Sequence, residues 1–352
     1  MHNNKIRFLT LKQKIIFTME LQNMLSASIP ILDALIFIEK NCHDRKIREI
    51  SSTLQLKING GMGFAQALNY LYGNVFGYTY ITLVKAGEAS GELDITLNRI
   101  LLLLKKQEDI RNKIITASIY PALLLLAVYG ILVCFANFVF PKFNDVITSN
   151  GGEISASSLT VIRIMNMFSN HSLLILLILI GTIYGIYKIL KIPSIKNILD
   201  GIILQVPIIN SLVEYFNLAN FSTVVYIAYE AGLTITSCLE LANRAVGNLV
   251  IKSRISDAVQ LLKQGNSLTT SLQTTRAVPP MFLSIISAGE ESGSMGKMFQ
   301  NVTLTIDRKL ELALQVMLKL FEPIAILIIA GIIGALAIVY SQAYIGMLNS
   351  II

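Results

Sequence analysis

The sequence predicts an all-α integral membrane protein, with two homologous cytoplasmic helical bundles in tandem and three transmembrane helices. Three observations carry that prediction. Of 352 residues, 53% are hydrophobic and only 14% charged, against about 25% charged in ordinary soluble domains. The apolar residues are gathered into three charge-free intervals, 114–141, 164–187 and 323–352. The polar remainder carries one pattern twice, Ala86-Gly87-Glu88-Ala89-Ser90-Gly91 and, 202 positions on, Ala288-Gly289-Glu290-Glu291-Ser292-Gly293. A disordered chain is excluded by the high hydrophobicity. A disulfide framework is excluded by the three scattered cysteines, Cys42, Cys134 and Cys238.

The organisation read from the chain is a first bundle over 1–118, a span over 119–140 and an external loop over 141–171. A second span over 172–190, a second bundle over 191–322, a third span over 323–347 and an external tail over 348–352 follow. The first span is apolar but for Tyr120, Tyr129 and Asn137, and the third carries Ser341 and Gln342 late. Both supply the roughly 20 apolar residues that crossing the hydrocarbon takes. The second is shorter and crosses only if it runs past Lys188, whose long stem reaches back to the headgroups; a buried helix is its other reading.

The amino terminus has no continuous apolar run of the kind a secretory signal needs, since Glu20, Gln22 and Asn23 interrupt it. Orientation is therefore read from basic residues near the spans. Lys105, Lys106, Arg111 and Lys113 precede the first span, Lys188, Lys191 and Lys196 follow the second, and Arg308, Lys309 and Lys319 precede the third. The connector at 141–171 has only Lys142 and Arg163. The amino terminus and both bundles are expected in the cytoplasm, and the short carboxyl tail outside.

Both polar segments read as helices. Ile47, Ile50, Leu54 and Ile58 recur at steps of three and four, as do Ile251, Ile255, Val259 and Leu262, the period of one helix face. Pro30 and Gly60-Gly61 punctuate the first segment, and Gly232 and Gly265 the second. The short loops imply antiparallel bundles.

The two segments also align. The offset of 202 places Pro121 on Pro323, each expected at the mouth of a span. Upstream an offset of 204 places Phe17 on Phe221, Ser28-Ile29 on Gly232-Leu233, Leu35 on Leu239, Gly61 on Gly265 and Leu68 on Leu272. A two-residue length difference near 69–83 reconciles the two. The unit is a bundle of about a hundred residues feeding into a membrane helix, and it occurs twice.

These residues resemble the inner-membrane platform proteins of type IV pilus and type II secretion machines, the PilC or GspF family. The resemblance covers the chain from about Phe17. It rests on the duplicated Gly-Glu-x-Ser-Gly, on Leu25-Ser26-Ala27-Ser28-Ile29-Pro30-Ile31 and its counterpart Glu230-Ala231-Gly232-Leu233-Thr234-Ile235, on Val206-Pro207-Ile208, and on the spacing of the spans. It implies docking on a cytoplasmic hexameric assembly ATPase, contact with pilin or pseudopilin subunits and with other inner-membrane assembly proteins, membrane lipid around the spans, and a homo-oligomer. Two departures stand out. Most of the amino-terminal extension of longer members is missing, as in a compact type IVb or competence-pilus branch, and Ser28 stands where the second repeat and most of the family have glycine.

In the signature itself, Gly87 and Gly289 are expected to stop one helix with a positive φ, and Ser90 and Ser292 to cap the next. Glu92 would then sit in a first turn, where a carboxylate suits the helix dipole. Gly91 and Gly293 complete the motif. Glu88 and Glu290 are not explained by a turn, and two readings stand: a buried bracing ion pair, or contact with a partner protein or a metal. Within the spans, Gly181 and Gly185, and Gly331 and Ala335, form small-xxx-small pairs suited to close helix packing.

No enzyme and no cofactor are expected. Gly293-Ser294-Met295-Gly296-Lys297-Met298 has the wrong spacing for a phosphate-cradling loop and no hydroxyl after the lysine. His2, His43 and His171 are too far apart for helical metal-ligand pairs. A transporter or channel subunit working as an oligomer is the alternative from another class, but its pathway would place ionisable groups inside the spans, and the only charged residue here is Lys188, at the edge of the second. Nucleic acid is not an expected partner, because Glu39, Asp44 and Glu49 interleave with Lys40, Arg45, Lys46 and Arg48.

Overall fold

In the computed structural model, the described residues are 6, 8–139, 141–142, 167, 171–175, 177–178, 181–182, 185, 193–207 and 209–351. The first repeat comprises α1 (Leu11–Ser26), α2 (Ile31–Asn41), α3 (Arg45–Asn59), α4 (Phe64–Phe76), α5 (Tyr78–Ser90) and the long α6 (Leu93–Cys134), which ends in a π-helical turn, Phe135–Val139. The second comprises α7 (Pro193–Ile203), α8 (Ile209–Glu230), α9 (Ile235–Asn243), α10 (Leu249–Lys263), α11 (Leu268–Thr274), α12 (Pro280–Glu291) and α13 (Met295–Ile351). No strand occurs among the described residues.

Local chemistry sets the helix starts. Thr10 and Gln13 form a capping box at α1, each side chain satisfying the other's backbone N–H. Asp44 accepts from the N–H groups of Lys46 and Ile47 at α3, and Asn248 does the same for Val250 and Ile251 at α10. The periodic stripes face inward over most of their length: Ile47, Ile50, Leu54 and Ile255 are fully buried and Ile251 and Val259 nearly so, while Ile58 and Leu262 at their ends are half-buried. In the first bundle Phe17, Phe76 and Tyr80 stack in a tilted row, and the Tyr80 hydroxyl finds Thr18 Oγ1 at 2.9 Å.

The repeat read from sequence is a repeat in structure. Phe17, Leu35 and Leu68 are buried, and so are Phe221, Leu239 and Leu272. The left-handed turns also correspond: Ser28 (φ 61°) with Gly232 (φ 82°), Gly61 (φ 87°) with Gly265 (φ 93°), and Gly91 (φ 76°) with Gly293 (φ 66°). Ser28 thus adopts the glycine conformation without being glycine. The length difference falls at α4, whose 13 residues are kinked at Tyr72 (φ −133°), against 7 residues in α11.

The described residues divide into two compact units, Met1–Lys113 with Asp200–Ala313, and Ile114–Leu199 with Leu314–Ile352. The two bundles, separate in sequence, therefore share one unit. Within the other unit, the Tyr129 hydroxyl donates to the Ser172 carbonyl.

Two helices are long and apolar enough to cross a membrane, Leu93–Phe138 and Met295–Gly331. They overlap the first expected span over 119–138 and the third over 323–331. Side chains there point outward, Leu126 68% and Leu327 70% exposed, a surface that suits lipid and not water. Pro121 and Pro323 lie inside these helices. Residues 348–351 of the expected tail are helical, as the end of α13. The loop at 141–171 and the second span at 172–190 lie largely outside the described residues.

Candidate functional site

The duplicated signature forms the corner between a bundle's last short helix and its long helix, α5 to α6 and α12 to α13. The expected helix stops at Gly87 and Gly289 are found four residues later, at Gly91 and Gly293, which take the positive φ. Gly91 N–H bonds back to the carbonyls of Gly87 and Glu88, closing α5 in a left-handed cap. Gly87 and Gly289 are buried inside their helices, and close approach requires them. A Cβ on Gly87 would lie 2.4 Å from Thr96 Oγ1, and one on Gly289 2.3 Å from Met298 Cβ. These glycines let the short helix lie directly on the long one.

The serines also differ from expectation. Ser90 Oγ donates to the Gly87 carbonyl at 3.2 Å, and Ser292 Oγ to the Ala288 carbonyl at 2.7 Å. They bond back into their own helix and do not cap the next. Glu92 precedes α6, and its carbonyl accepts the Thr96 N–H at 3.0 Å. That puts it at the cap position, ahead of the first turn.

Glu88 and Glu290 reach sideways to another helix. Glu88 Oε1 accepts from the Phe64 N–H at 2.6 Å and Oε2 from the Ala65 N–H at 2.9 Å. Glu290 Oε1 accepts from the Leu268 N–H at 2.7 Å, and its Oε2 from the Thr269 N–H at 2.9 Å and hydroxyl at 2.7 Å. Each carboxylate thus caps the start of α4 or α11 from a helix more than 20 residues away, placing negative charge on free backbone donors at a positive helix end. A brace was one of the two sequence readings, but its partner is a helix terminus and not a cation. In the first repeat the cap residue is Gly63, which has no side-chain bond of its own; a Cβ there would sit 3.1 Å from Glu88 Oε1. In the second, Ser267 caps Thr270 N–H alongside Glu290. Partial burial raises the Glu290 carboxyl, but the bonds from Thr269 and Leu268 outweigh it and hold the carboxyl below its ordinary value.

The outcome is a three-helix joint: carboxylate on one helix, backbone donors of a second, and a long third helix seated on a glycine. Related ties went unread in the sequence. Gln13 Nε2 donates to Asp44 Oδ2 at 2.8 Å, and at the corresponding place Asn217 Oδ1 accepts from Gly247 and Asn248 N–H. Asp200 Oδ2 accepts from the Leu249 N–H at 2.7 Å. The offset of 204 relating Gln13 to Asn217 and Asp44 to Asn248 was the available signal.

Of the packing candidates, Gly181, Gly185 and Gly331 have no neighbouring atom within 4 Å of an added Cβ among the described residues. Ala335 lies in α13.

The family described as type II secretion system (T2SS), protein F matches residues 17–141 and 221–341, one match for each repeat. The chain belongs to the type II secretion system protein F family. Among curated relatives of this F-family chain, the type IV pilus assembly protein PilC of Thermus thermophilus is 28% identical over 92% of this chain and 80% of its own. The type II secretion system protein F of Aeromonas hydrophila is 25% identical over 90% and 82%. The type IV pilus assembly protein PilC of Pseudomonas aeruginosa is 26% identical over 92% and 86%. These relatives are named for assembly and secretion, and none for a catalysed reaction.

Proposed function

We propose that this F-family chain is the inner-membrane platform protein of a type IV pilus or type II secretion machine, coupling a cytoplasmic assembly ATPase to insertion and extrusion of pilin subunits. The observation that carries this reading is the joint. In both repeats, a glycine contact and a carboxylate brace fix the short helices to a long helix that continues into an apolar stretch (Gly87 on Thr96, Gly289 on Met298). A force applied to a bundle is then transmitted along α6 or α13 and not absorbed at a flexible linker.

In this reading both bundles and the amino terminus face the cytoplasm, where the ATPase and other assembly proteins dock. The apolar stretches meet lipid and pilin. Among the described residues the faces at Gly181, Gly185 and Gly331 are open, and packing against further copies of the chain would use them.

Deletion of the gene is expected to abolish filament assembly or secretion while pilin and ATPase levels stay unchanged; filaments persisting in the deletion would overturn the reading. Reporter fusions after residue 150 are expected outside and after residue 265 in the cytoplasm, and the reverse result would overturn the topology.

A further inference from the structure

On α6, Arg99, Lys106 and Lys113 recur every seven residues, which places them along one face of the helix. Each pairs with an acidic residue of the second repeat. Arg99 Nη2 lies 3.8 Å from Glu230 Oε2, Lys106 Nζ 2.5 Å from Asp307 Oδ2, and Lys113 Nζ 2.5 Å from Glu311 Oε1. The corresponding positions 202 residues on are Asn301, Arg308 and Gln315, so only the middle residue has a basic counterpart and the row as a whole is not repeated. It belongs to the contact between the halves.

The rungs are unequal. The middle one is the most enclosed, with side chains 26% and 16% exposed against 38% and 49% for Lys113 and Glu311. Among the described residues Asp307 Oδ1 is buried without a hydrogen-bond partner, so losing Lys106 would remove the carboxylate's one ion pair, a costly change for a buried charge. Lys113 is different. It also lies 2.9 Å from Asp109 Oδ2, one turn back on its own helix. If α6 and α13 part there, Lys113 keeps a carboxylate, and the half-exposed Glu311 is taken up by water.

We propose that this ladder is a clasp between the repeats, with a fixed middle rung at Lys106–Asp307 and an exchangeable rung at Lys113, so that the two long helices separate first at the Lys113 end, nearest their apolar stretches. Lys113 swaps Glu311 for Asp109 as the clasp opens. That the clasp opens is independent of the platform reading; that its opening serves filament assembly rests on that reading.

The test uses the full chain in nanodiscs, with Cys42, Cys134 and Cys238 replaced and spin labels placed at Asn112 with Gln315, and separately at Leu102 with Leu304. Glu311→Gln is expected to lengthen and broaden the 112–315 distance distribution and leave 102–304 unchanged. Asp109→Asn, which leaves Lys113 only Glu311, is expected to narrow 112–315. Asp307→Asn is expected to lengthen both, and the Lys106→Asp, Asp307→Lys exchange to restore them. No change at 112–315 in Glu311→Gln, or an equal change in both pairs, would overturn the clasp. In cells, Asp109→Asn is expected to reach the membrane at wild-type level but lose filaments. Filaments at wild-type level would overturn the clasp's role in assembly, whereas filaments in the gene deletion would overturn the platform reading alone.

Discussion

Glu88 holds the backbone N–H groups of Phe64 and Ala65, at 2.6 and 2.9 Å, from 24 and 23 residues away in the chain. One carboxylate closes a helix start that its own glycine cap leaves open. Glu290 repeats the arrangement on Leu268 and Thr269. Charge-assisted bonds of this kind contribute about 1.5–3 kcal/mol each when shielded and less at a partly exposed site. Glu88→Gln keeps one acceptor oxygen and loses the charge, so thermal unfolding of the purified protein is expected to show a loss of about 1 kcal/mol. Glu88→Ala is expected to lose more, with Glu290→Gln matching Glu88→Gln. Unchanged unfolding in all three would mean that the bonds do not brace the bundles.

The two glycines of each signature are expected to fail differently. Gly87→Ala drives a Cβ to within 2.5 Å of Thr96 Cβ, and Gly289→Ala to within 2.3 Å of Met298 Cβ. Overpacking of this kind costs roughly 1–3 kcal/mol. A smaller partner relieves it, so Gly87→Ala combined with Thr96→Gly should recover part of the loss. Gly91 has open space around it but a φ of 76°, so Gly91→Asn, which tolerates that region, should be milder than Gly91→Val. Equal losses for Asn and Val would remove the backbone explanation.

Ser28 sits at φ 61° where its counterpart Gly232 sits at φ 82°. A left-handed non-glycine residue costs about 1–2 kcal/mol, partly offset by the greater freedom of an unfolded glycine. Ser28→Gly is therefore expected to stabilise the protein by roughly 0.5–1 kcal/mol, and Gly232→Ser to destabilise it by a similar amount. Denaturant titration of the two variants checks both signs.

The helical class, the repeat and its stripes were legible because periodicity reports directly which face is buried: Ile47, Ile50 and Leu54 needed nothing beyond their spacing. The signature was legible as a place but not as a mechanism. Sequence marks Gly87 as a glycine, yet whether it serves a φ or a contact depends on Thr96, nine positions on in another helix. Glu88 likewise gains its meaning from Gly63, a residue that contributes only the absence of a side chain. The basic row on α6 was not read from the sequence, because its meaning lies in its acidic partners Glu230, Asp307 and Glu311, which only the packing of the two halves brings to it.

The acid side of the stability curve gives a separate check on the brace. Hydrogen bonds from Thr269 and Leu268 hold the Glu290 carboxyl below its ordinary value against the opposing effect of partial burial. A carboxyl lowered in the folded state stabilises it at pH above the unfolded value, and that contribution fades as pH falls through the folded value. Glu290→Gln has no such dependence. The difference in melting temperature between the native protein and Glu290→Gln is therefore expected to be largest near neutral pH and to shrink as pH falls below the ordinary glutamate value, near 4.5. Ser287, which bonds the neighbouring Glu291 at 2.9 Å, provides the control: Ser287→Ala should leave that pH dependence in place. A difference that grows on acidification would reverse the sign and exclude the hydrogen-bonded carboxylate as the brace.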